Sequence, residues 1–263
     1  MLIGTIHAQY LEKLRNFAAR FSMGELPEPF LMETSGCLSS YYAPFDAVND
    51  NAQVVLVGIT PGIQQAVNAF NAAKAVLNNG GSFLEAVTSG KATGSFSGNM
   101  RAPLIEMLDH VGLQAVLGLD SCAQLFGARR DLIHTTSVLR YPVLRDGKNY
   151  NGTPSMTKDA FLRERMKNQF AEEVQALPPT ALYVPLGPNV SAALEYLAEH
   201  GVIDRGRVMS GLPHPSGANA ERIAYFLGKK AREALSNKTN PEKLDAAKDK
   251  ILARLGSLQF GPA

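Results

Sequence analysis

Cysteine is almost missing from this chain: of 263 residues, only Cys37 and Cys122 carry a thiol. Two thiols cannot build a disulfide framework, a cysteine zinc site or a four-cysteine iron-sulfur centre, and their scarcity fits a reducing, cytoplasmic setting. Long apolar runs are lacking too. None approaches the roughly 18 residues that a membrane helix needs, and no apolar signal core stands at the N-terminus, so neither a membrane span nor export is expected. There is also no excess of one charge. Lys and Arg number 26 against 24 Asp and Glu, a net +2 that neither demands nor opposes a nucleic-acid partner. The locally basic stretches, 139-LRYPVLRDGK-148 and the tail from Lys229, read either as phosphate-facing surface or as plain solvated faces.

What is present is ordinary globular composition, 45% apolar and 19% charged, on a chain long enough to bury a large core without staples. Ile6, Tyr10, Leu14, Phe17 and Phe21 recur at helical spacing and predict an amphipathic helix over 5–21. Residues 23–50, rich in Pro, Ser, Tyr and Asn, read as irregular. Then 53-QVVLVG-58 has the continuous β-branched character of a strand buried on both faces. Similar runs follow at 131–139, 181–187 and 206–212, with helical patterns between them. Helices are expected after Pro103, from a Thr157 cap to Leu177, from Pro188 to Gly201, over 219–235 and from Pro241 to Leu255. The economical architecture is α/β: one parallel sheet of about four strands, helices on both faces, and a ligand site beyond the carboxyl ends of the strands.

Two loops at those ends stand out. In 58-GITPG-62 a Gly ends the strand, Pro61 fixes one backbone angle and Gly62 permits positive φ in a tight turn that could aim backbone N–H groups at a ligand. The spacing is neither the dinucleotide fingerprint nor a phosphate-binding loop, and a simple strand-terminating turn is an equal reading. In 212-LPHPSGAN-219, Pro213 and Pro215 stiffen the chain on either side of His214. A His held in this way can donate to a developing anion, although a lone loop His is more often structural. Ser216-Gly217 does not form a nucleophile elbow.

Taken in order, G-I-T-P-G, 94-GSFSGNMRAPLIEMLDHVGL-113, 135-TTSVLRYP-142, 182-LYVPLG-187 and P-H-P-S-G resemble the motifs of the uracil-DNA glycosylase superfamily over about residues 50–230. The resemblance implies a single three-layer α/β/α domain at 51–235. An N-terminal helix and irregular lead-in at 1–50 would pack on it, and a helical tail would follow at 236–263. It also implies cleavage of the bond between a flipped deaminated base and its sugar in single- or double-stranded DNA, by a monomer with no cofactor or metal.

By the same resemblance, His214 would donate to the carbonyl oxygen of the departing base, and Phe96 would stack on the extruded base, with core packing as its plain alternative. Pro213, Pro215, Ser216 and Gly217 would shape the DNA contact, while Gly58, Ile59, Pro61 and Gly62 would form the first loop. Two positions depart from the family pattern. Thr60 stands where an Asp, Asn or Glu usually positions the attacking water, and Ser137 where an Asn usually reads the base. A hydroxyl is no general base near neutral pH and offers less than a carboxamide to a base edge, so slow turnover or an atypical base is expected. No apolar wedge follows Gly217, which leaves Arg222 to fill the gap behind a flipped nucleotide. Two rivals remain: a glycosylase-fold module that binds without cleaving, and an unrelated hydrolase pairing His214 with Asp131 or His134.

Overall fold

The computed structural model describes residues 7–22, 24–96 and 98–257. Ile6, Ser97 of the F-S-G segment and the last six residues of the expected tail lie outside them. The first helix, α1, is His7–Asn16. It buries Tyr10, Leu11 and Leu14, and the chain beyond it adds Phe21 to the same cluster.

Where 23–50 was expected to be irregular, the chain forms a hairpin, β1 (Leu31–Ser35) and β2 (Leu38–Tyr41), turning at Gly36 with φ +56°. Its strands are short and half polar, so they lack an apolar signal of their own. They are defined by a partner about a hundred residues away. Strand β3 is Val54–Gly58; the helices α2 (Ile63–Asn78), α3 (Phe83–Gly94), α4 (Arg101–His110) and α5 (Leu113–Val116) follow, and then β4 (Ile133–Ser137). Strands β5 (Val143–Arg145) and β6 (Lys148–Asn149) complete an antiparallel sheet of order β1-β2-β5-β6. That sheet crosses the expected boundary near residue 50, so the lead-in is hydrogen-bonded to the central domain.

The next helical stretch starts at Asp159, whose carboxylate accepts from Leu162 N–H, and not at Thr157. It runs as α6 (Ala160–Arg165), a π turn (Met166–Phe170) and α7 (Ala171–Gln175). Strand β7 (Leu182–Pro185) leads into α8 (Pro188–Glu199). Helix α9 (Ala220–Phe226) is shorter than the 219–235 expected, with a single 3-10 turn at Arg232–Ala234 beyond it, and α10 is Pro241–Gly256.

The parallel sheet has three strands, in the order β4-β3-β7. The expected fourth, over 206–212, is reduced to one bridge from Val208 to Tyr183. The chain there enters from a 3-10 turn capped by Asp204 and leaves through Gly211 at φ +132°, which allows one ladder contact and no more. All of β3 is buried. Val55 and Val57 face a cluster with Phe161, Leu162 and Val190, whereas Val54 and Leu56 face Leu104, Leu108, Phe226, Ile251 and Leu255, so helices cover both faces. No helix among the described residues is long and apolar enough to cross a membrane.

Candidate active site

Register places the first site residues. Gly58 pairs with Ser137 at the carboxyl ends of β3 and β4, where the loops open into a cavity of about 560 Å³. Gly58, Ile59, Thr60, Pro61, Gly62, Phe96, Ser137, His214 and Ser216 all line it. Pro213, Pro215, Gly217 and Arg222 do not.

Phe96 is buried and sits at φ +44°, a left-handed backbone that a bulky residue adopts only when its surroundings hold it there. A Cβ built on Gly58 would lie 3.5 Å from the Phe96 ring and 3.3 Å from Ser137 Oγ. The missing side chain at 58 therefore leaves a slot between the Phe96 ring and the Ser137 hydroxyl. The His214 imidazole packs on the turn that follows β7. Gly187, at φ +92°, lies directly under His214, and a Cβ there would approach the His214 Cβ to 3.2 Å. Ser216 N–H donates to His214 Nδ1 at 3.3 Å, so in the neutral ring the proton is on Nε2. Burial pushes the His214 pKa below its ordinary value, which keeps the ring neutral and a donor at pH 7.

Several side chains do other work than their sequence pattern suggested. Thr60 Oγ1 donates to the Tyr141 carbonyl oxygen and accepts from Val143 N–H, both at 2.9 Å, so its proton is committed to pinning the first loop to the start of β5. Gly62 sits at φ −78°, outside the left-handed region, and two backbone donors at the end of the turn are engaged. Gly62 N–H donates to Gln65 Oε1 and Ile63 N–H to Asn149 Oδ1, and the Ile59 carbonyl oxygen accepts from Leu139 N–H. Arg222 donates to Asn219 Oδ1 and to the Lys238 carbonyl oxygen, while Asn219 Nδ2 donates to Ser216 Oγ. It braces the His214 loop through Asn219.

Several cations of the two basic stretches are paired. Lys229 meets Glu106, Lys230 meets Glu221 and Arg232 meets Glu242, while Arg140 is buried against Glu172 and Glu173. Asp131 is exposed and bound to Arg129, and His134 is buried against Glu173; neither lines the cavity, which removes the geometry a hydrolase pair with His214 would need.

Sequence reading missed a buried ion network behind the slot. Glu173, fully buried, accepts from Lys91 Nζ at 3.0 Å, Thr136 Oγ1 at 2.7 Å and Arg140 Nε at 3.4 Å. Burial opposes ionisation of Glu173, but Lys91 and its other partners outweigh it and hold the carboxyl well below the usual range. Burial and the Lys91 charge push His134 down to about 4. Next to this cluster, Asp46 accepts from Tyr42 at 2.8 Å and from Tyr141 at 2.5 Å. Lys91 and Arg140 both line the cavity, whereas no Asp or Glu does among the described residues. A signal existed in the sequence: Lys91 falls in the spacing Ala86, Val87, Gly90, Lys91, Gly94, the buried stripe of α3.

Comparison with curated proteins finds the "Uncharacterized protein YoxB" of Bacillus subtilis (strain 168), 35% identical over 221 residues that cover 83% of this chain and 86% of that protein. No known family model matches the chain. No solved structure matches it.

Proposed function

The chain belongs to the family of Bacillus subtilis YoxB, and we propose that it is a DNA glycosylase-like protein of the uracil-DNA glycosylase superfamily, hydrolysing the N-glycosidic bond of uracil or another deaminated base in DNA. The observation that carries the reading is the shared cavity. Phe96, Ser137 and His214 come from three separate segments and line one space at the carboxyl ends of the parallel strands. A flat base can stack on Phe96 while a neutral imidazole donates to it. In this reading the helices that cover the two faces of the parallel sheet are the outer layers of a three-layer α/β/α domain, and the Val208 bridge is what is left of a fourth strand.

The chemistry follows from the donors. As the C1′–N bond breaks, its electron pair moves onto the base, and His214 Nε2–H stabilises that charge. One well-placed donor is worth on the order of a hundred- to a thousand-fold in rate. Water then bonds to C1′ and gives up its proton. No carboxylate lines the cavity to receive that proton among the described residues, so turnover is slow. The committed hydroxyl of Thr60 favours a second reading, a module that binds the base without cleaving it.

Single-turnover assays on labelled single- and double-stranded oligonucleotides carrying uracil, hypoxanthine or xanthine separate the two. Base release that is lost in His214→Ala supports the glycosylase. Binding of these oligonucleotides without release supports the module, and neither binding nor release refutes both.

A further inference from the structure

The ions that face the cavity are all of one sign. Lys91 and Arg140 line it, while Glu173 and Asp46, the buried carboxylates that balance them, stand behind. The Lys91 ammonium has three N–H groups. One donates to the Ala47 carbonyl oxygen at 2.7 Å and one to Glu173 Oε1 at 3.0 Å. His134 cannot take the third, although its Nε2 lies 3.4 Å from Nζ. Asn49 N–H donates to His134 Nδ1, so in the neutral ring the proton is on Nε2, and that nitrogen donates to Glu173 Oε1 at 2.6 Å. One ammonium proton is thus left over on a side chain only 6% exposed that borders the cavity. An unmatched buried donor of this kind is costly unless a ligand or water meets it.

We propose that Lys91 is a specificity-determining residue, whose spare N–H donates to a carbonyl oxygen of the bound base. This rests on the nucleobase reading of the cavity and narrows its substrate class. Lys91 and the neutral His214 each present a donor, and Ser137 Oγ, which has no protein partner among the described hydrogen bonds, can serve as either donor or acceptor. Such a lining matches an acceptor-rich oxo base. It also opposes a base that turns an exocyclic amino group toward Lys91, because two donors would then meet with no acceptor between them. Lys91 adds a fixed positive charge next to a base that leaves as an anion.

The test uses the full chain and free bases, so it needs no turnover. Ligand-observed NMR titrations compare uracil, cytosine and indole, the last a flat ring without a carbonyl. They are run on wild type and on Lys91→Met/Glu173→Gln, which removes the ammonium together with its carboxylate partner and leaves Arg140 paired with Glu172. Wild type is expected to bind uracil at least about tenfold more tightly than cytosine. The double variant is expected to lose about tenfold or more for uracil and to keep its indole affinity.

A second measurement keeps the proposal testable if the variant does not fold. In 15N-lysine-labelled wild type, the Nζ signal of a buried lysine should move on adding uracil and stay put on adding indole. Equal affinity for uracil and cytosine, an unchanged uracil affinity in the folded variant, or an Nζ signal indifferent to uracil would each overturn the role of Lys91 while leaving the base pocket standing. If none of the three ligands binds wild type, the base pocket falls and the role of Lys91 falls with it.

Discussion

Replacing Thr60 by Val distinguishes a residue that holds water from one that holds the fold. The two are nearly the same size and shape, but Val loses a hydroxyl that donates to the Tyr141 carbonyl oxygen and accepts from Val143 N–H. Tyr141 and Val143 are both buried, so their backbone groups would be left without a partner. Each lost bond of this type costs about 1–2 kcal/mol once the stranded group is counted, giving roughly 2–4 kcal/mol for Thr60→Val. For a chain of this size that corresponds to a fall in melting temperature of roughly 4–16 °C. Thr60→Ser keeps the hydroxyl and loses one methyl, so a cost of about 1 kcal/mol is expected. Urea and thermal unfolding followed by circular dichroism measure both variants. If Thr60→Val melts within a degree of wild type, the bridge carries no energy and the hydroxyl is free for a ligand or water, contrary to the argument here.

Four other outcomes are expected. Glu173→Ala should strand Lys91, leave Arg140 with Glu172 alone and destabilise the protein by about 3–5 kcal/mol, whereas a change under 1 kcal/mol in urea unfolding would mean that the network is not closed. Acid should weaken the fold through His134: its folded pKa of about 4 lies below the unfolded value near 6.5, so the unfolded chain takes up the proton first. Its contribution is full above pH 6.5 and erodes toward pH 4 by on the order of 3 kcal/mol; His134→Gln should flatten that part of the stability-pH curve, and an unchanged slope would exclude His134 as its source. Phe96→Ala should weaken uracil binding tenfold or more, as expected for the loss of one aromatic stacking face, and equal binding in an NMR titration would return Phe96 to plain core packing. Gly187→Ala places a methyl against the His214 Cβ at a backbone angle that favours glycine, so single-turnover base release should slow more than oligonucleotide binding weakens.

Much of the scaffold was legible along the chain because it is local. A nearly continuous β-branched run announces β3, and short runs of apolar and β-branched residues mark β4 and β7, since strands largely buried on both faces need no strict polar alternation. Pro188 and Pro241 mark the helix starts they suggest. Nine of the residues that line the cavity were also legible, because residues at the ends of parallel strands and in the loops after them must meet at one edge of the sheet.

What tertiary structure alone decided is where hydrogen bonds and charges end up. The β1-β2 hairpin has too few apolar residues to announce itself and exists because β5 pairs with it. Thr60 looked free until the chain at 141–143 came to meet it, and Arg222 until Asn219 and Lys238 did. Lys91, His134, Arg140 and Glu173 are dispersed over more than eighty residues and follow no motif. Burial makes them a network: once water is excluded, each must find its partner among the others, and Lys91 keeps one donor that only a ligand or water can satisfy.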